Sequence, residues 1–284
     1  MLLLDYYLGQ CPVEFPYSGF PNLVEQIGST LGDIIIINHV SLADFNQICS
    51  EREEHGLGFR LSLYTADPKR LIITIPTGVC EMLHRHLDHL IGLKNGGMGL
   101  QPEELSSIGA EAFAHLDGAG HVMSQGEGDS CLQPLVRLQG GFPTVVIEAG
   151  YMQSWDSLQQ KARWWFAASN FDVKIVILTK VDQSGGWRIT IEKWKAVEAA
   201  LQPGVGTQAQ ENAPAQPACV QCIHITHAHG DDPANPESYH VTAPLNLEFV
   251  DVYLQQPIEG QGDIVLSIVE LQHYAVAVWR KSWQ

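Results

Sequence analysis

The stretch FPTVVIEAGYMQSWDSLQQKARWWFAASNFDVKIVILTKV, residues 142–181, decides the fold. Short apolar runs over 145–147 and 173–181 flank a segment, 155–169, whose apolar residues recur at helical spacing. This pattern predicts a strand, a helix and a strand, and therefore two parallel strands joined by a crossover helix. Glu148 closes the first run, and an acid at the carboxyl end of a strand lies where open α/β sheets place their functional sites.

Composition sets the class of protein. The chain has 284 residues, of which 45% are hydrophobic and 17% charged, so we expect one globular domain over 1–284. Asp and Glu number 32 against 16 Lys and Arg, and the net charge of −16 disfavours non-specific contact with nucleic acid or an anionic membrane. Six scattered cysteines and the lack of a basic leader before the first leucines predict an intracellular protein, cytoplasmic or nuclear.

The rest of the chain alternates short strands with helices, which predicts the α/β class. Before the central unit we expect an irregular arm over 1–30, a strand over 33–40, a helix capped by Ser41, a hairpin over 59–75 and a helix opened by Pro76 and Thr77. Residues 106–115 fit a strand or a short helix, of which we favour the strand, and 116–141 are a turn-rich stretch. After it we expect a strand over 187–195 paired with the strand that ends at 181, a mobile loop over 202–217, strands over 220–226, 245–254 and 263–267, and a closing helix over 269–283.

Four residues form the first candidate site: Glu81, Asp129, Glu148 and Lys161. Carboxylates from neighbouring strands can hold a hard divalent cation such as Mg²⁺, which lowers the pKa of a bound water and offsets charge on a phosphate. A nearby lysine can orient the water or hold the phosphate. The alternative places Asp129 in a solvated loop, Lys161 on a solvated helix face and Glu81 in a first helical turn, where acids are favoured. Glu148 differs, because a charge that closes an apolar strand needs a partner or a solvent-facing site.

Other candidate sites have weaker signals. A zinc site would use Cys219-x-x-Cys222 with His224, His227, His229, Asp231 and Asp232, but the segment has a single CxxC, and a hairpin with incidental histidines is the alternative that we favour. The histidines of HRHLDH, residues 84–89, lack the HExxH spacing and indicate a packed helix. Ser130 and Ser154 lack the G-x-S-x-G arrangement of a nucleophilic serine.

The order of these features resembles the PD-(D/E)XK restriction-endonuclease-like superfamily. A hairpin precedes a helix with Glu81, and Asp129 precedes a strand ending in Glu148 and a helix with Lys161. The chain is most similar to a fungal branch of that superfamily, related to bacterial endonuclease-like proteins. The likeness runs from about residue 33 to 279 and includes RLIITIPTGVCEMLH, GEGDSCLQP, PTVVIEAGYMQSWDSLQQKARWWF, VKIVILTKV, YHVTAPLNLEFVDVYL and DIVLSIVELQHYAVAVW.

The resemblance implies a mixed sheet flanked by helices, with an αβββαβ core, an N-terminal strand, helix and hairpin, and a C-terminal β extension. It implies Mg²⁺, with Mn²⁺ as the alternative ion, bound by Asp129 and Glu148. Glu81 would complete the metal shell or act as a base, and Lys161 would orient the water. The sequence departs from the family pattern at three positions: Gly150 where the lysine usually stands, Gly128 where a proline usually precedes the first acid, and Cys80 where a histidine usually precedes Glu81.

Two functions follow. The first is a metal-dependent phosphodiesterase, a nuclease, with DNA as the partner that the resemblance implies and that the net charge disfavours. The second is a nuclease fold retained without DNA cleavage, as an enzyme on a small molecule or as an interaction module, which the net charge favours. Basic residues near the predicted site are few: Arg85, Lys161 and Arg163. Neither function requires a membrane, and both leave a homo-oligomer open.

Overall fold

The computed structural model describes residues 12–137, 141–182, 187–198, 215–228 and 230–282. The α-helices are α1 Phe20–Ser29, α2 Leu42–Glu54, α3 Gly78–Gly97, α4 Trp155–Ala168, α5 Phe249–Tyr253 and α6 Ile268–Ser282. The strands are β1 Val13–Pro16, β2 Ile34–Asn38, β3 Arg60–Thr65, β4 Arg70–Thr74, β5 Leu105–Ser107, β6 Ala112–Leu116, β7 Val122–Glu127, β8 Ser130–Pro134, β9 Val145–Gly150, β10 Ile175–Asp182, β11 Arg188–Glu198, β12 Ala215–His227, β13 Tyr239–Val241, β14 Leu245–Leu247 and β15 Ile264–Leu266.

A seven-stranded mixed sheet contains the segment that decides the fold, in the order β13-β12-β11-β10-β9-β8-β5. Strands β9 and β10 are parallel and are joined by α4, as predicted. Strand β11 pairs antiparallel with β10, which was also predicted. Every residue of β9 is buried, because α3 and α6 cover one face of the sheet and α4 covers the other.

Successive β9 residues therefore belong to different cores. Val145 and Ile147 pack with α3 and α6, whereas Val146 packs with α4. Because side chains alternate along a strand, Glu148 lies on the same face as Val146 and points toward α4.

A second mixed sheet has six strands in the order β1-β2-β4-β3-β7-β6. Its core packs against α1 and α2, whose buried residues include Leu23, Phe45 and Ile48. Ser41 caps α2 as predicted, because its side chain accepts a hydrogen bond from the backbone N–H of Asp44. The chain passes from this sheet to the seven-stranded sheet at Gly128 and Asp129, between β7 and β8. The structure is thus of the mixed α/β class that the sequence predicted.

The prediction of an irregular arm over 1–30 is wrong for residues 13–16 and 20–29, which form β1 and α1. Burial of Phe20 and Leu23 stabilises the helix, and Pro21 lies in its first turn, where proline is tolerated. Residues 1–11 lie outside the described ranges. In the predicted mobile loop, residues 215–217 belong to β12, and residues 202–214 are not among those described.

Two further predictions of local structure are wrong. The turn-rich stretch over 116–141 contains β7 and β8, because neighbours distant in sequence supply their backbone partners. The strand over 106–115 is two strands, β5 and β6, that belong to different sheets, and Gly109 adopts φ 64° between them.

The C-terminal part follows the prediction more closely. The strand over 245–254 is β14 followed by α5, whereas β15 and the closing helix α6 are confirmed. Strand β14 pairs with β15 in a separate two-stranded sheet. No helix within the described ranges has the length and apolar character needed to cross a lipid bilayer.

Candidate functional site

Glu148 and Lys161 form a buried ion pair between β9 and α4. Lys161 Nζ donates to Glu148 Oε2 at 2.7 Å, and Trp165 Nε1 donates to Glu148 Oε1 at 2.6 Å. Lys161 and Trp165 are four residues apart on one helix and so present the same face to the strand. Glu148 is 1% exposed and Lys161 5%, so both charges depend on these partners. The alternative interpretation that Lys161 lies on a solvated helix face is therefore wrong.

Asp129 lies beside this pair, at the crossing between the two sheets. Its Oδ2 accepts from the backbone N–H of Ala149 at 2.7 Å, and its Oδ1 accepts from Arg60 Nη1 at 2.8 Å. Lys161 Nζ also donates to the carbonyl oxygen of Glu127, two residues before Asp129, at 2.8 Å. Asp129 is only 9% exposed, so the interpretation of a solvated loop is wrong for this residue.

Glu81 is joined to Asp129 through Arg60. One guanidinium nitrogen, Nη2, donates to Glu81 Oε1, and the other, Nη1, donates to Asp129. Arg85, one turn along α3, donates from Nε to Glu81 Oε2. Glu81 has a side-chain exposure of 25% and is the most accessible of the four predicted residues. We call Glu81, Asp129, Glu148, Arg60 and Lys161 the charged cluster.

The pKa values of Glu148 and Asp129 are shifted in opposite directions. Burial raises the pKa of Glu148 to about 7, although Lys161 and the bond from Trp165 oppose the rise. Burial also acts to raise the pKa of Asp129, but the positive charges of Lys161 and Arg60 outweigh it, and the pKa falls below its ordinary value. Neighbouring carboxyl groups with pKa values pushed apart are typical of functional sites.

The sequence reasoning missed Arg60 and a second buried ion pair beside the cluster. Arg52 of α2 binds Glu127 through two parallel bonds, Nη2 to Oε1 at 2.7 Å and Nη1 to Oε2 at 2.9 Å. The backbone N–H of Leu61 donates to the same carboxylate at 2.9 Å. No local pattern marks these arginines, because Arg52 and Arg60 meet acids that are 75 and 69 residues away.

The other basic candidates contribute less. Arg85 binds Oε2 of Glu81 through Nε, and its side chain is 70% exposed. Arg163 lies over the ring of Trp194, 5.1 Å from its centre, in a cation–π contact.

Ser130 has a histidine partner that the sequence did not reveal. Its hydroxyl lies 2.8 Å from His84 Nδ1, and His84 Nε2 lies 3.3 Å from Glu81 Oε1. Ser130 and His84 are each 2% exposed. Burial lowers the pKa of His84, so a neutral imidazole is favoured. His84 thus links Ser130 to Glu81, and the sequence around Ser130 lacks the G-x-S-x-G arrangement of a nucleophilic serine.

The zinc candidate gains no support. Cys219 and Cys222 are exposed thiols on β12, with Cys222 Sγ 3.8 Å from His224 Nε2. His227 packs between the rings of Trp187 and Tyr239. His229 lies outside the described residues. In the part of the chain that the structure describes, no three His, Cys, Asp or Glu side chains are grouped to hold a metal ion.

The oxygen chemistry of the charged cluster nevertheless suits a hard cation. Asp129, Glu148 and Glu81 offer carboxylate oxygens, which Mg²⁺ and Mn²⁺ prefer. Each oxygen of Asp129 and Glu148 accepts a hydrogen bond from the protein, and each keeps a second lone pair. A divalent ion bound to Asp129 and Glu81 would have to replace the guanidinium of Arg60, which now lies between them.

No family model and no curated protein matches the chain. The function is therefore inferred from the geometry of the charged cluster.

Proposed function

We propose that the chain is a metal-dependent phosphodiesterase of the PD-(D/E)XK type. Asp129 and Glu148 would hold Mg²⁺ or Mn²⁺, Glu81 would complete the ligand set, and Lys161 would orient the attacking water. One observation carries the proposal: an acid from β9, an acid from the β7–β8 crossing and a lysine from α4 meet in one buried cluster, with Lys161 Nζ 2.7 Å from Glu148. Burying three ionisable groups costs desolvation free energy, which motivates a functional role for the cluster.

The order of elements around the cluster supports the nuclease-like core. Helix α3, strands β5, β8 and β9, helix α4 and strand β10 follow one another in the αβββαβ order, with β6 and β7 inserted after β5. The four strands are consecutive neighbours in the seven-stranded sheet. The first two pairings are antiparallel and the last is parallel, which suits a mixed core sheet.

The packing of β9 on α4 accounts for the displaced lysine. A β carbon at Gly150 would lie 2.6 Å from Leu158 Cδ1, so a lysine at that position would require the Leu158 side chain to shift. Lys161, one helical turn further along α4, reaches Glu148 from the same side. This supports giving Lys161 the role that the family pattern gives to the residue at position 150.

The roles of the protein groups follow from their contacts. A bound Mg²⁺ would supply a water of lowered pKa and neutralise charge on the phosphate. Trp165 fixes the orientation of Glu148 through a bond at 2.6 Å. The Ala149 N–H fixes Asp129 at 2.7 Å. Lys161 keeps one positive charge beside both acids and is the group able to hold a hydroxide or a phosphate oxygen there.

A cleavage assay tests the proposal. Plasmid and single-stranded DNA are incubated with Mg²⁺ or Mn²⁺ and the wild type, Asp129→Asn, Glu148→Gln or Lys161→Met. We expect cleavage that requires the divalent ion and falls at least about 100-fold in each variant. Glu192→Gln is the matched control, because this acid accepts bonds from Gln159 and Trp194 outside the cluster. Cleavage by all three variants at the wild-type rate, or no cleavage by the folded wild type, would refute the proposed nuclease function.

A second function is favoured by two observations. Every carboxylate oxygen of Asp129 and Glu148 already accepts a hydrogen bond from the protein, and the net charge is −16. Both features suit a nuclease fold that no longer cleaves DNA and serves as an enzyme on a small molecule or as an interaction module. The same assay separates the two functions, since this one predicts a folded wild type without divalent-dependent cleavage.

A further inference from the structure

Arg60 occupies the space between two of the proposed metal ligands. Nη1 donates to Asp129 Oδ1 at 2.8 Å and to the Asp129 carbonyl oxygen at 3.0 Å, and Nη2 donates to Glu81 Oε1. The side chain is 13% exposed and extends from β3 of the six-stranded sheet into the charged cluster. Its guanidinium thus links an acid of α3 to an acid at the β7–β8 crossing.

The Arg60 guanidinium supplies Asp129 and Glu81 with the positive charge that a bound metal ion would otherwise supply. It carries a full positive charge at every physiological pH, and its planar fork satisfies two carboxylates at once. A divalent ion on the same Asp129 and Glu81 oxygens would stand within a few ångströms of that charge, and the repulsion would be strong in a partly buried site. Arg60 and a metal ion are therefore competitors for one pair of acids.

We propose that Arg60 is an intrinsic cation that competes with a divalent metal ion for Asp129 and Glu81, so that the ion binds only when the guanidinium leaves them. The inference rests on the proposed metal-dependent function. Arg60 then sets the metal affinity of the wild type. It also keeps the acids neutralised and the two sheets linked before metal binds.

The neighbouring arginine provides a matched comparison. Arg85 also binds Glu81, through Nε to the other carboxylate oxygen, but it is exposed, and within the described part of the chain it does not pair with Asp129. Replacing either arginine removes one positive charge next to Glu81. Only replacement of Arg60 frees the space between Glu81 and Asp129.

The test measures Mn²⁺ binding by isothermal titration calorimetry and needs no catalytic turnover. We expect Arg60→Gln to bind Mn²⁺ at least about tenfold more tightly than the wild type, because one competing charge is gone. Arg85→Gln should change the affinity less than about threefold, in line with a solvent-exposed charge. The double variant Arg60→Gln/Asp129→Asn should lose the tight binding, which assigns the ion to this site.

Each outcome is decisive. Unchanged Mn²⁺ affinity in Arg60→Gln, with binding still lost on Asp129→Asn, overturns the competition and leaves the proposed function standing. No Mn²⁺ binding by the wild type or by Arg60→Gln overturns the metal site and both proposals with it. Should Arg60→Gln fail to fold, Arg60→Lys retains the charge but cannot bridge both acids. Its affinity should then exceed that of the wild type, and an equal affinity would count against the competition.

Discussion

At the scale of single residues, the cluster is a set of buried charges that depend on one another. Removing one member of a buried ion pair costs more than the pair contributes, because the remaining charge keeps its desolvation penalty. Glu148 depends on Lys161 and Trp165, and Glu127 depends on Arg52. The stability of the chain should therefore respond sharply to single substitutions here.

The first prediction concerns Lys161→Met and pH. The folded-state pKa of Glu148, about 7, lies above its unfolded value, so the proton on Glu148 stabilises the fold at low pH, and this contribution is lost as pH rises through 7. Without Lys161 the pKa of Glu148 rises further. We expect a loss of about 3–5 kcal/mol in unfolding free energy at pH 8, and a clearly smaller loss at pH 5, where Glu148 is neutral.

Urea denaturation at the two pH values measures this difference. Lys174→Met is the control, because Lys174 donates to the carbonyl oxygen of Phe171 and pairs with no carboxylate among the residues that the structure describes. An equal loss at pH 5 and pH 8 in Lys161→Met would show that Glu148 is not the group that titrates.

The second prediction concerns the pair Arg52 and Glu127. Glu127 is buried, so Arg52→Met should lower the unfolding free energy by about 2–4 kcal/mol at pH 7. Glu127→Gln removes the orphaned charge and keeps an oxygen for the N–H of Leu61. The double variant should therefore be more stable than Arg52→Met alone. A double-mutant cycle by chemical denaturation gives the coupling free energy between Arg52 and Glu127. Additive effects of the two substitutions would contradict the prediction.

At the scale of elements, the close approach of β9 to α4 holds the cluster together. Gly150 faces Leu158 so closely that an added β carbon would lie 2.6 Å from Cδ1 of the leucine. We predict that Gly150→Ala lowers the unfolding free energy by about 1–3 kcal/mol, as overpacking does. Leu158→Ala alone should cost about 2–5 kcal/mol through the cavity that it leaves.

The combination of the two changes tests the contact. Gly150→Ala with Leu158→Ala should cost less than the sum of the single effects, because the smaller side chain makes room for the new methyl group. Thermal or urea unfolding of the four proteins measures the coupling. A strictly additive result would mean that β9 and α4 adjust to the methyl group elsewhere.

The sequence predicted those elements whose signal is local. The unit of β9, α4 and β10 has apolar runs and helical spacing that need no distant partner to be recognised. Strand β7, VMSQGE, has no alternating pattern, and it is a strand because β3 and β6 pair with it. For the same reason α1 was missed, since burial against the six-stranded sheet stabilises it.

The residues of the candidate site likewise divide into those with a local signal in the sequence and those without one. Glu148 was predicted from its own surroundings, and Asp129 and Lys161 chiefly from a resemblance. Arg60 begins an ordinary hairpin strand, and only the tertiary fold brings it to Asp129. Long-range ion pairs leave no periodic signal in a sequence.

At the scale of the whole molecule, the net charge of −16 affects the stability of the fold as well as the choice of binding partner. The 32 acids outnumber the 16 basic residues, so most surface acids repel one another. The buried pairs of the cluster are poorly screened, whereas the exposed acids interact through solvent over a Debye length of about 10 Å at 0.1 M salt. Added salt should therefore weaken the repulsion more than it weakens the ion pairs of the cluster.

We accordingly predict that raising NaCl from about 20 mM to about 300 mM at pH 7.5 increases the melting temperature by roughly 2–4 °C, the shift that about 1 kcal/mol produces in a domain of this size. Differential scanning calorimetry measures it. The control is the same experiment at pH 5, near the isoelectric point of about 5.0, where the effect should largely vanish because acids and bases balance. A melting temperature that falls with salt at pH 7.5 would mean that attractive surface ion pairs outweigh the excess of acids, and the net charge would then no longer argue against binding of polyanions.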